Sequence, residues 1–158
     1  MNIVNFNISK RAVYNEVAKT TSYTGAKFTG DDDAYLRIFT TDEDRLMLER
    51  FFNEASASIT DLVKPFIVSV STNSDPAELN IDNNYDVTLE LSSRYDTTLN
   101  GSVHDAIFSF FVNLIIAKWY RFTNKGEEKI YADAAAHFIN DINSKIYYRR
   151  KPTRTLPQ

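Results

Sequence analysis

Cysteine is absent from this chain of 158 residues. That absence excludes a disulfide scaffold, a thiol nucleophile, a Cys-ligated zinc site and an iron–sulfur cluster. Only four glycines are present, at positions 25, 30, 101 and 126. A phosphate-binding loop of the Walker or dinucleotide type needs several within a few residues, so both are excluded. Two histidines, His104 and His137, are little material for a His-rich metal site or an acid–base relay. Long hydrophobic runs are missing too. The longest, Ala106–Ala117, is interrupted by Ser109 and Asn113 and reads as a buried helix, too short and too polar for a bilayer span. The first residues, Met1-Asn2-Ile3-Val4-Asn5-Phe6, show no basic region, apolar stretch or cleavage site of a targeting segment.

What is present argues for a binding or structural protein. Hydrophobic residues at 43% and aromatics at 13% exclude a disordered or collagen-like chain. The length suits one domain, residues 1–158, with a core that needs no covalent or metal staples. The net charge of −3 is unevenly spread. Residues 1–30 carry +3, 31–64 and 65–98 carry −5 each, 99–141 carry −1, and 142–158 hold five bases and no acid. An acidic body between basic ends repels nucleic acid along its middle, while the ends attract anionic surfaces.

The periodicity predicts a mainly α protein of four to five helices with an inserted β-hairpin. Ser9 caps a helix over about 10–21, and the Thr20–Gly25 cluster then reads as a loop. Asp31, Asp32 and Asp33 open a short helix through Ile38. Thr41 with Asp44 forms a capping box, followed by a helical stripe of Leu48, Phe51, Phe52, Ala55, Ile59 and Val63 up to Pro65. The period then changes. Phe66–Ser71 is β-rich, and Tyr85, Val87, Leu89 and Leu91 alternate with polar residues, giving a hairpin over about 66–92 around the polar connection Thr72–Asn84. Asn100 or Ser102 caps a helix over about 103–123 that is apolar nearly all round and needs enclosure on every side. Asn124, Lys125 and Gly126 break it, and a last helix runs from about Glu127 to Tyr148. A basic tail, about 147–158, holds Pro152 and Pro157.

Candidate sites are few. The three aspartates at 31–33 have oxygen ligands for a hard cation, but lack the spacing and closing Glu of an EF-hand, so a solvated helix start is the reading carried forward and no metal is expected. His104 and His137 sit on different helices without a nucleophile, which points to satisfied or surface histidines and away from a hydrolase. Lys145, Tyr147, Tyr148, Arg149, Arg150, Lys151 and Arg154 mix bases with aromatics and suit phosphates or an acidic groove on a protein, or else a solubilising tail. The strand at 86–92 offers an edge to a neighbouring chain, or folds over its own helices.

The order of these features resembles the head–tail connector proteins of tailed phages. The resemblance is carried by Ala34-Tyr35-Leu36-Arg37-Ile38, the acidic Thr41-Asp42-Glu43-Asp44, and the helix Leu46…Phe52…Ala55…Ile59. It continues in Val103-His104-Asp105-Ala106…Leu114-Ile115-Ile116-Ala117-Lys118-Trp119-Tyr120 and in the closing Tyr147-Tyr148-Arg149-Arg150-Lys151-Pro152. The block Val13–Lys27 is similar to an N-terminal extension in ring proteins of crAss-like phages. The departure is the hairpin, placed between two helices that short connectors join more directly. The resemblance implies a virion protein without enzymatic activity or cofactor, made in the host cytoplasm and placed at the head–tail junction. It also implies a homo-oligomeric ring, commonly of twelve copies, around the DNA channel. Portal attachment would fall to Lys145, Tyr147, Tyr148, Arg149, Arg150, Lys151 and Arg154. The apolar helix and the hairpin would supply subunit contacts at Phe108, Phe111, Trp119, Tyr85, Val87 and Leu89. DNA would pass without sequence-specific binding, other neck or tail proteins would be neighbours, and no membrane is involved. The competing expectation is a small acidic intracellular binding or regulatory module whose basic tail touches nucleic acid.

Overall fold

A computed structural model describes residues 1–27, 33–71 and 81–154. The chain is mainly helical, with one small antiparallel sheet. It starts with β1 (Asn2–Ile8), α1 (Lys10–Lys27) and α2 (Ala34–Ile38). A 3-10 turn at Asp42–Asp44 leads into α3 (Arg45–Val63). Strands β2 (Ile67–Ser71) and β3 (Tyr85–Leu91) follow, and then α4 (Asn100–Thr123) and α5 (Lys125–Tyr147).

The expected hairpin exists, since β2 and β3 pair antiparallel. The sheet nevertheless has a third strand. β1 pairs antiparallel with β3 along its whole length, from Asn2↔Leu91 to Ile8↔Tyr85, and the order is β1-β3-β2. The alternation that places β1 lies in the first eight residues, where Val4, Phe6 and Ile8 are buried while Ile3, Asn5 and Asn7 are exposed. β3 is therefore the central strand, and the edge expected at 86–92 is occupied on both sides. Among the described residues the free edges belong to β1 and β2.

Helix α4 is the spine. Val103, Ile107, Phe111, Ile115 and Tyr120 are fully enclosed by the sheet, α1, α3 and α5. Counted with its preceding turn, Thr97–Thr123, it is long and apolar enough to cross a membrane by length and composition, and here it is the core helix of the fold. It starts earlier than expected. The Asp96 carboxylate accepts the Thr98 N–H at 3.0 Å and hydroxyl at 2.7 Å, capping a turn at Thr97–Leu99 that runs straight into the helix. At the other end a single residue, Asn124, joins α4 to α5, and Gly126 lies inside α5. The two helices fold back antiparallel, with the Tyr120 and Tyr131 rings edge-on at 5.3 Å and Arg121 paired to Glu128 at 3.0 Å.

Helix α1 also exceeds expectation. The Thr20–Gly25 cluster continues the helix, its hydroxyls bonded backward along it, Thr21 to the Val17 carbonyl at 2.9 Å and Thr24 to the Thr20 carbonyl at 3.0 Å. Thr21 is buried and its Oγ1 accepts the Thr40 N–H at 3.2 Å. Asp31 and Asp32 lie outside the described residues. Asp33 precedes α2, where its carbonyl accepts the Arg37 N–H. The capping box stands as expected, with Asp44 Oδ2 accepting the Thr41 N–H at 2.8 Å.

One core feature was invisible in the sequence. Lys10, at the start of α1, is wholly buried and its ammonium pairs with the Glu49 carboxylate of α3. Tyr14, one turn on, donates to the other Glu49 oxygen at 2.7 Å, and the Phe52 ring lies 5.0 Å beneath the ammonium. Burial, and then the Glu49 charge, push the Tyr14 phenol far above its ordinary range. The triad clamps α1 onto α3.

Candidate docking surface

The C-terminal segment leaves α5 in a held conformation. Lys145 is tied to Asp141 one turn back at 2.6 Å. Arg149 folds back to cap the helix, donating to the Ile146 carbonyl at 2.8 Å and the Tyr148 carbonyl at 3.1 Å, where a cation complements the negative helix end. Arg150 is pinned by its backbone. Its N–H donates to the Arg94 carbonyl at 2.9 Å, and the Arg94 guanidinium donates twice to the Arg150 carbonyl, at 3.1 and 2.7 Å. Its own guanidinium lies 3.3 Å from Asp96. The Thr98 hydroxyl and N–H hold Asp96 below the usual carboxylate range, and Arg150 adds to this.

Of the seven residues expected to form the basic handle, Lys145, Arg149 and Arg150 therefore have partners within the chain. Tyr147, Tyr148, Lys151 and Arg154 are exposed. Tyr147 also packs its ring on Phe66 at 5.3 Å. An open cleft of about 440 Å³ lies beside this segment, lined by Pro65, Phe66, Ile67, Glu90, Ser92 and Arg149. Aromatic, basic and acidic groups thus share one end of the molecule.

The six residues expected at subunit contacts are placed differently. Phe111, Tyr85, Val87 and Leu89 are fully buried within the single chain. The Phe111 ring stacks obliquely on Phe52 at 4.9 Å and on Tyr85 at 5.5 Å, and the Tyr85 hydroxyl meets Thr60 at 3.0 Å. Trp119 is buried with its Nε1–H donated to the Ile38 carbonyl at 2.7 Å, which seats α2 on the end of α4. These five side chains build the chain's own core. Phe108 is half-buried and borders a groove of about 230 Å³ between α1, α4 and α5, with Val112, Ile116 and Tyr131 on its floor and Glu16 on its rim.

The histidines behave as structural or surface groups. His104 Nε2 meets the Asn7 carbonyl at 2.9 Å, latching α4 to the end of β1, and His137 is exposed beside Phe138. Among the described residues no group of three or more His, Asp or Glu side chains converges as a metal site. The sequence places Ile130 on the apolar face of the last helix and Leu36 in the short helix before Thr41, yet both are exposed, as are Phe122, Val68 and Val70; only the packing shows which face such residues take. Searches against family models, curated proteins and solved structures return no match for this chain.

Proposed function

We propose that this protein is a structural virion component, an α-helical connector that assembles as a ring at the head–tail junction beneath the portal, joins capsid to tail and surrounds the DNA channel. The observation that carries the reading is the held C-terminal segment. Arg94, Asp96 and Phe66 fix the root of a basic, aromatic tail whose Tyr147, Tyr148, Lys151 and Arg154 stay available to a partner. A peptide already oriented loses less entropy on docking than a free one. The acidic middle supports the same reading, because a channel wall that gripped phosphates would slow DNA passage.

The decisive sample is the chain mixed with the portal assembly, imaged by negative stain. The expected result is a ring of about twelve copies seated on the portal, the copy number being that of the family the sequence resembles. Monomers alone in that mixture overturn the proposal. Truncation after Ile146 should abolish attachment while leaving the circular dichroism spectrum unchanged. Retained attachment would reassign the docking residues. Strong, salt-dependent binding to short duplex DNA would instead support the regulatory module.

A further inference from the structure

The two free edges of the sheet point to a second copy of this chain as their partner. Neither β1, Asn2-Ile3-Val4-Asn5-Phe6-Asn7-Ile8, nor β2, Ile67-Val68-Ser69-Val70-Ser71, contains a charged residue or a proline. Exposed edges are ordinarily blunted by lysine, proline, a bulge or a covering element; β1 pairs with β3 without a bulge, and β2 has one between Ile67 and Ser69, with Ser69–Ser71 regular beyond it. Here one quarter of the chain is charged, yet both edges carry no charge and no strand pairs with them among the described residues. The central strand between them carries Asp86 and Glu90. At these two edges copies can meet with no charge to desolvate and no like charges to oppose.

The sheet's own rows match this partner. On the outer face Asn5 lies opposite Thr88 and Thr88 opposite Ser69, while Asn7, Asp86 and Ser71 form the next row. Asn5 Nδ2 already donates to Thr88 Oγ1 at 3.0 Å and to Asp86 Oδ1 at 2.7 Å. A neighbour's Asn5 beside Ser69 would extend the first of these rows. On the inner face the row Phe6, Val87, Val70 ends badly: the first two are buried, whereas Val70 is 41% exposed. In a continued sheet the neighbour's β1 arrives with its own buried inner face and with the α4 that packs on it, which covers Val70.

We propose that β1 of one copy adds to β2 of the next, so that the sheets of adjacent subunits join. β1 and β2 both run antiparallel to β3 and hence parallel to each other. A neighbour's β1 therefore continues the sheet through a head-to-tail contact, which closes into a ring when the rotation permits. His104 holds the Asn7 carbonyl, so the stretch of β1 offered is Asn2–Phe6, close to the length of β2. This inference rests on the ring assembly proposed above and names its joint.

The absence of cysteine makes the test clean. Asn5→Cys and Ser69→Cys are purified separately, mixed at high concentration and oxidised, and Asn5→Cys mixed with Ser71→Cys covers a register shifted by two residues. Within one chain the two strands flank β3 at about 10 Å, beyond the ~7 Å limit for a disulfide, so a link between the two positions joins two molecules. The mixture should cross-link at least ten-fold more than either variant alone. Self-links at one position that equal or exceed the mixed link overturn the proposal in favour of two-fold pairing of like edges, and no link in any pair overturns it outright. Val68→Lys with Val70→Lys should keep the circular dichroism spectrum and lose the cross-link; a charged β2 that links as before also overturns it. Rings on the portal without the mixed link remove only the strand joint. A mixed link in a chain that never attaches to the portal keeps the joint and removes the connector reading.

Discussion

Helices α4 and α5 are nearly equal in length, 24 and 23 residues, and lie side by side, yet eleven residues of α4 are buried against three of α5. Both begin from a periodic apolar stripe. In α4 the buried set spreads widely around the helix, packed by β1, α1, α3 and α5, while Ser102, Asp105 and Arg121 stay exposed. In α5 the buried set shrinks to Ala135, Ile142 and Ile146, and the other face carries Ile130, Asp133, His137 and Asn143 toward solvent. The difference separates two tasks. α4 determines whether the chain folds, and α5 closes the core and delivers the C-terminal segment to the end of the sheet.

The contrast is broken most severely in α4. Phe111→Ala empties the centre of a ring cluster with Phe52, Tyr85 and Phe110, and should cost about 3–5 kcal/mol. Chemical denaturation should show either a large loss of stability or an unfolded chain. A loss below about 1 kcal/mol would mean that the core is not centred on α4.

The buried clamp is expected to come next. Glu49→Leu leaves the Lys10 ammonium buried without its carboxylate partner and Tyr14 without its acceptor, at a cost of about 3–5 kcal/mol. The paired change of Lys10→Met with Glu49→Leu should recover most of that loss, since a well-packed apolar pair commonly replaces an ion pair without penalty. A double variant as unstable as the single one would show that the pair itself holds α1.

A pH titration sharpens the contrast at the α4–α5 joint. Burial raises the phenols of Tyr14, Tyr85, Tyr95 and Tyr120, the last to about 12. A group raised in the folded state contributes stability that is complete below its ordinary value of 10.0 and lost as pH rises through the folded value. Urea midpoints should therefore fall between pH 10 and 12, and Tyr120→Phe should flatten part of that fall. An unchanged slope in the variant would remove Tyr120 from the base-sensitive set.

The smallest effects belong to α5 and to the exposed pairs. Ile130→Ser should change stability by less than about 0.5 kcal/mol, in contrast to the core helix beside it. On the acid side, desolvation raises the Glu54 carboxyl, while Lys118 at 2.9 Å and Arg50 at 3.4 Å together outweigh it and leave it lowered. That contribution is present above its ordinary value of 4.5 and fades as pH drops below it, so Glu54→Gln should slightly flatten the acid limb of the stability profile.

Much of the fold was legible because helix and strand periods are local. The stripe of α3, the capping box at Thr41 and Asp44, the apolar α4 and the alternation of β3 could each be read within one window. The readings that needed correction depended on distant partners. β1 carries its alternation locally in Val4, Phe6 and Ile8, but its partner β3 lies about eighty residues away in the chain, and Thr21, within the cluster read as a loop, is buried where its Oγ1 accepts the Thr40 N–H. The tail's composition was plain in sequence. Which of its cations remain available was not, because Arg94 and Asp96 contribute only through space.

Composition and periodicity alone determined that this is a cysteine-free, mainly helical chain with an acidic middle, basic ends and one helix apolar on every side. Only the tertiary structure decided that the centre of α4 is buried by its own chain, that Lys10 is a core residue and that, among the described residues, the free strand edges belong to β1 and β2. Periodicity says which residues seek burial. Burial is settled by what the folded chain brings alongside, and an edge is free only when no other strand arrives there.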